Sequence, residues 1–436
     1  MAITSEDDFI DLVKKVETYA ADHPGLYTIK LALFSLLGYL VIFGVLVSLL
    51  GLVGGLIAAA FLHVGVLVFL IQSKLVIAVI PAVWVLLRAL WVKTLPPQGY
   101  LLTRREYPDL FTEIDALSKK LNSLKIHEVI LDDSLNAAVV QHPRLGVLCW
   151  YKNYLLIGYQ LMLTLSPEEM RSVLAHEFGH ISRNHGRFDG WIYRLRLIWL
   201  RIMETFDHQD SFGAALMRLF FDWYSPRFEA YSFVLARRNE YEADAVSAAL
   251  TSPEVATRAL VNVHTTAPYL DEGYWDRFYR AADEHPEPTH APFEGLIVFL
   301  KSRQYNRNEI LDRIKKVISA ETHYADTHPC VKDRVMALGA SPQIPVLPQI
   351  NAAEAWFGAG NENIVRELDQ KWFDENNEYW KERYSYVQDA KNKLKNYPQK
   401  PRAELSDPEL WEYACMTNEF VSSSAAFRLF EAYKQR

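Results

Sequence analysis

Cysteine is scarce: three residues in 436, Cys149, Cys330 and Cys415, with no Cys-x-x-Cys pair. That excludes a disulfide framework and a thiolate metal site, and it fits a reducing compartment. Excess positive charge is also missing. A formal net charge of −7 leaves no electrostatic footprint for a nucleic-acid partner. The start lacks a secretory-signal pattern, because the apolar run begins too late and has no small-residue cleavage site. Two long stretches lack charge altogether or nearly so. No Asp, Glu, Lys or Arg stands between Leu31 and Ile71, and Leu75 to Val92 is interrupted only by Arg88.

A bilayer core takes about 20 apolar residues per helix. The first stretch exceeds one crossing, and Gly51, Gly54 and Gly55 offer a place for a tight hairpin within it. The expectation is two or three transmembrane helices, with Pro81 tolerable in such a setting. Lys30, Lys74, Arg88 and Lys93 flank the runs but are too few to set an orientation.

What the chain does contain is the pattern His-Glu-x-x-His at His176, Glu177 and His180. Residues four apart share a helix face, so the two imidazoles can grip one ion, and Glu177 can reach a water on it. Ser166-Pro167-Glu168-Glu169 reads as a capping box that opens this helix. Met170, Val173, Leu174, Phe178 and Ile181 then follow at helical spacing. Gly179 is costly inside a helix, by about 1 kcal/mol relative to Ala. Close approach of another backbone or of a substrate accounts for it. His185 falls on a different face and reads as a surface residue.

A zinc site needs a third protein ligand and an open position. Glu240 and Asp244 share a face of a downstream helix. Glu240 is the expected ligand, and Asp244 the partner that fixes a histidine tautomer. Glu242 points elsewhere.

Around these residues the pattern predicts a helix over 108–121 and strands at 128–131, 137–140, 146–150 and 153–157. It further predicts helices over 191–206, 212–237 with a break near Pro226, 239–250 and 292–318, and a connection over 271–288. The stretch 363–395 reads as a long charged helix. Residues 410–420 and 424–433 read as an antiparallel pair similar to one tetratricopeptide unit.

The chain resembles the membrane zinc metallopeptidases that include HtpX and the CaaX prenyl endopeptidase. The resemblance rests on His176-Glu177-Phe178-Gly179-His180, Glu240-Tyr241-Glu242-Ala243-Asp244, Asn136-Ala137, and His328-Pro329 with Arg334. It implies one Zn2+ per chain held by His176, His180 and Glu240, and Glu177 as general base. It also implies that His328 and Arg334 stabilise the oxyanion, that Asn136 and Ala137 hold the substrate backbone, and that the catalytic domain faces the cytosol.

The expected fold class is α+β, mostly helical. An N-terminal segment and transmembrane anchor (1–98) precede a zincin-type metallopeptidase domain (99–345) and a C-terminal helical region (346–436). Expected partners are protein or peptide substrates, membrane proteins among them, the bilayer, and a protein at the C-terminal helices. The competing reading is a membrane-anchored interaction scaffold whose zinc site is vestigial or structural.

Overall fold

A computed structural model of the chain describes residues 5–62, 96–143, 151–181, 212–302, 307–323, 326–344, 346–401 and 404–436, with isolated residues between 188 and 203. The second hydrophobic run, the expected strand 146–150, His185 and Cys149 lie outside them. The chain divides into two compact units, residues 1–265 with 305–358 and residues 266–304 with 359–436.

The first unit opens with α1 (Glu6–Asp22), started by a reciprocal Ser5–Asp8 capping box and burying Val13 and Val16. After His23 comes α2 (Pro24–Leu62), one unbroken helix of 39 residues. The expected hairpin at Gly51–Gly55 is therefore a correction. A glycine weakens an apolar helix without breaking its hydrogen-bond ladder, and nothing lies within 4 Å of the Cβ position of Gly51, Gly54 or Gly55 to force a turn. Within α2, Pro24–Ser48 is long and apolar enough to cross a membrane, the one such helix among the described residues. Only 28% of its apolar window is buried, which a core helix would not tolerate. Tyr27, Leu31, Ser35 and Ile42 face inward, while Leu26, Ile29, Leu33, Leu36, Leu40 and Phe43 face outward.

A four-stranded sheet follows in the order β1-β2-β4-β3, from β1 (Tyr100–Leu102), β2 (Glu128–Asp132), β3 (Ala137–Pro143) and β4 (Tyr151–Gly158). β2 and β4 are parallel, β1 and β3 antiparallel to their neighbours, and β3 is an edge. Between β1 and β2 runs α3 (Pro108–Lys120), burying Leu110, Phe111, Ile114 and Leu117. Gly158 ends β4 where a Cβ would sit 2.1 Å from the Ser134 carbonyl oxygen, so only glycine lets the loop before β3 close. The chain then turns through α4 (Tyr159–Thr164) into α5 (Pro167–His180).

A single 39-residue helix, α6 (Phe212–Leu250), replaces the helix expected over 212–237 with a break near Pro226 and the separate one expected over 239–250. An interior proline costs about 3 kcal/mol. Here packing on both sides of it outweighs that cost. Tyr224 stacks on Phe228 at 5.6 Å, and Phe34 and Tyr27 of α2 stack on Tyr224 and Tyr231 at 6.0 and 5.9 Å. Gly38 of α2 is needed at this contact, because a Cβ there would meet Trp199 at 2.6 Å. Next come α7 (Pro253–Leu270) and, after α8 (Asp276–Arg280) and α9 (Pro292–Ser302) of the second unit, α10 (Arg307–Ser319), α11 (Val331–Ala337) and α12 (Ala352–Phe357). Leu260, Val261, Ile310, Ile314, Val331 and Val335 form a shared core.

In the second unit, the connection expected over 271–288 is helical at its start: a π-helical turn at Asp271–Trp275, then α8 (Asp276–Arg280). The helix expected over 292–318 is two, α9 (Pro292–Ser302) in this unit and α10 in the first. The long α13 (Asn361–Asn396) caps α9, since the Asp369 carboxylate accepts the Phe293 amide at 2.7 Å. Phe278 packs against Trp372 and Trp380 at 5.2 and 5.3 Å. The terminal pair α14 (Asp407–Phe420) and α15 (Ser423–Lys434) appears where expected.

Candidate active site

The site is built where α5 crosses α6. Helix α5 begins at Ser166, whose side chain accepts the Glu169 amide while the Glu169 carboxylate accepts the Ser166 amide. Met170, Leu174 and Phe178 are fully buried and fix its rotation. Arg171 pairs with Glu113 of α3 at 2.7 and 2.8 Å, and Glu169 with Arg258 of α7 at 3.1 Å. The outer face of α5 is thereby tied to two neighbouring helices.

Small residues let α5 and α6 approach closely. Ser172 and Ser247 hydroxyls lie 2.6 Å apart, and Ser247 also donates to the Ser172 carbonyl. A Cβ on Gly179 would sit 3.2 Å from the Ala243 Cα. The close approach inferred for Gly179 is thus to the backbone of α6. Sequence reasoning missed the two serines. Small residues at 172 and 179 on one helix, and at 243 and 247 on the other, were the available signal.

This crossing brings His176, His180 and Glu240 together. Their donor atoms all fall within 4.8 Å of one another. His176 Nε2 and His180 Nε2 are 3.1 Å apart, and Glu240 lies 3.6 Å from the first and 3.5 Å from the second. In a tetrahedral zinc site with bonds of about 2.05 Å, ligand atoms are roughly 3.3 Å apart, so the triangle has the size of a zinc face. One carboxylate oxygen of Glu240, Oε2, is buried with no hydrogen bond, although the Arg334 guanidinium stands 3.2 Å away. Two soft-edged imidazoles, one hard carboxylate and no thiolate suit Zn2+.

The surrounding residues orient these ligands. Asp244 lies 3.0 Å from His176 Nδ1, so that nitrogen carries a proton and Nε2 would be the one to hold an ion. Arg334 grips Asp244 with two hydrogen bonds of 2.6 and 2.7 Å and is itself buried. His328 Nδ1 sits 2.9 Å from Glu240 Oε1, with its side chain 70% exposed at the rim. The electrostatics follow from burial and these partners. Burial drags His176 down, but the Asp244 and Glu240 bonds outweigh it and raise it to about 9. Burial and the neighbouring His176 push His180 down to about 4. Burial would raise Glu240, yet His176, His328 and Arg334 together hold it far below the ordinary carboxylate range. Burial lifts Glu177 to about 7.

The helix that carries Glu177 packs against the edge strand β3, whose Val139 backbone acts against the burial that lifts the Glu177 carboxyl. Ala137 is buried at the head of β3. Asn136 is exposed just before it, and its carbonyl accepts the Gly158 amide at 2.7 Å. Glu242 turns away and pairs with Arg238 at 2.9 Å.

A pair of imidazoles one helical turn apart, closed by a carboxylate from a second helix, is the zinc-dependent metallopeptidase arrangement of the gluzincin type. Residues 127–341 match Peptidase family M48, so the chain carries an M48 peptidase domain, consistent with the HtpX-like and CaaX-peptidase-like resemblance. No curated protein and no solved structure matches the chain.

Proposed function

We propose that this zinc metallopeptidase is a membrane-anchored endopeptidase that takes an extended stretch of protein substrate along the outer edge of β3. The observation that carries the reading is that β3 lies at the edge of the sheet, packed against α5, the helix that carries Glu177. Strand backbone groups alternate between the two edges. The Asn136 carbonyl bonds toward β4, so the register turns the odd-numbered Val139 amide to the outer edge. A substrate strand added there would run past the ligand cluster, with Asn136 and Ala137 at its entry.

Bound at His176, His180 and Glu240, zinc would polarise the scissile carbonyl and acidify the attacking water. Glu177, lifted by burial to about 7, is suited to take that water's proton near neutral pH and return it to the leaving amine. His328 stands at the rim, where its ring can donate to the developing oxyanion. For Arg334 the proposal differs from the role implied by resemblance. Its guanidinium is engaged with Asp244 and Glu240, so it positions ligands and does not reach substrate.

The outward apolar face of Pro24–Ser48 supports anchoring in a bilayer. The apolar run 75–92, interrupted only by Arg88, supports a second crossing, and by the resemblance the catalytic domain would face the cytosol. One helix, α6, carries both the aromatic residues packed on α2 and Glu240, so hydrolysis would take place close to the membrane. Exposed Trp411, Tyr379 and Phe427 support a protein partner at the C-terminal helices.

The test is cleavage of a membrane-tethered extended polypeptide in vesicles by the wild-type chain and by Glu177→Gln. Loss of the base lowers the rate at least about a hundredfold with zinc content unchanged. Equal cleavage by the two would remove this reading.

A further inference from the structure

Arg237 lies three residues before the metal ligand Glu240 on α6 and is buried, at 5% exposure. A buried guanidinium persists only where its donors are satisfied. Each of its three nitrogens has a partner. Nη1 pairs with the Glu17 carboxylate of α1, Nε donates to the Asp326 carbonyl at 3.0 Å, and Nη2 to the His323 carbonyl at 3.2 Å. The last two partners belong to the segment that leads into His328. Further along, Thr322 accepts the Cys330 amide and donates to Asp333, both at 2.8 Å. That closes the segment around His328-Pro329. Helix α1 is held against α6 through Val13, Val16 and the Phe9–Phe233 contact at 5.9 Å, and only His23 separates it from α2.

We propose that Arg237, charge-compensated by Glu17, is a positioning residue that holds His323 and the 326–330 stretch so that His328 stands over Glu240. The N-terminal helix is therefore a working part of the site and a direct link from the candidate membrane helix to the rim histidine. Its catalytic consequence rests on the peptidase reading above; its structural core does not. The carbonyl oxygens of His323 and Asp326 need a fixed donor, and a guanidinium whose counter-charge is removed loses the reason for its fixed orientation.

Glu17 is partly exposed at the surface, so Glu17→Gln is expected to leave the fold intact while removing the counter-charge. Two measurements on the full chain in detergent test the proposal. Hydrogen–deuterium exchange is expected to rise several-fold over residues 320–330, with 170–181 and 240–250 unchanged and zinc content the same. In cleavage, kcat is expected to fall about tenfold with KM little altered. In a His328→Ala background the same substitution is expected to have no further effect, and Glu17→Asp is expected to restore part of the loss. Unchanged exchange over 320–330, or losses that simply multiply in the His328→Ala background, would overturn the proposal. A wild-type chain that cleaves nothing while exchange still rises would sink the peptidase reading and leave the coupling standing.

Discussion

At the scale of single residues, the site is a set of charges that restrain one another. Asp244 and Glu240 hold a proton on His176 in the metal-free protein, raising it to about 9 from an ordinary 6.5. The sign of the stability effect follows. A raised histidine contributes fully below 6.5 and loses its contribution as pH rises through about 9, so this pair favours the metal-free fold at neutral over alkaline pH. Zinc requires the neutral imidazole, so binding must expel that proton. Calorimetric zinc titrations at pH 7.5 in buffers of different ionisation enthalpy are expected to show about one proton released per ion, falling toward none above about pH 9.5. No proton release at pH 7.5 would contradict the His176–Asp244 arrangement. His180, lowered to about 4, contributes no proton in this window.

At the scale of elements, the crossing of α5 and α6 decides whether the ligands meet. Their separation is set by Ser172, Gly179, Ala243 and Ser247: the two serine hydroxyls meet at 2.6 Å, and a Cβ added at Gly179 would sit 3.2 Å from the Ala243 Cα. Gly179→Ala has opposing effects: it gains about 1 kcal/mol of helix propensity and loses some through crowding. Gly179→Leu has no room at all. It is expected to push α6 outward and weaken zinc binding by tenfold or more, measured by competition with a chromophoric chelator, while Gly179→Ala stays within a few fold. Zinc affinity in Gly179→Leu equal to wild type would show that this contact does not position Glu240. The local signals for α5 were legible in the sequence because cap, proline and apolar spacing all agree there. The continuity of α6 was not. Pro226 argues locally for a break, and the aromatic residues of α2 that hold the helix straight are some 190 residues away in the chain. The same applies to α2, where glycines that permit a turn do not require one.

At the scale of the whole chain, the ligand set His176, His180 and Glu240 was readable because helix periodicity alone puts each pair or partner on one face. The environment of Arg334 was not readable, because a motif position does not reveal that a side chain is engaged by two buried carboxylates. Nor was the role of α1, whose Glu17 reaches Arg237 across 220 residues of sequence. The division into units likewise depends on contacts that no local pattern carries, since residues 266–304 cluster with the C-terminal helices. The account as a whole depends on side chains from two helices sharing one ion. The most direct measurement is the zinc content of the full chain after exhaustive dialysis, compared with that of Glu240→Ala. The expected result is a single tightly held zinc per wild-type chain and almost none retained by the variant. A Glu240→Ala chain that keeps its zinc as firmly as wild type would contradict the account.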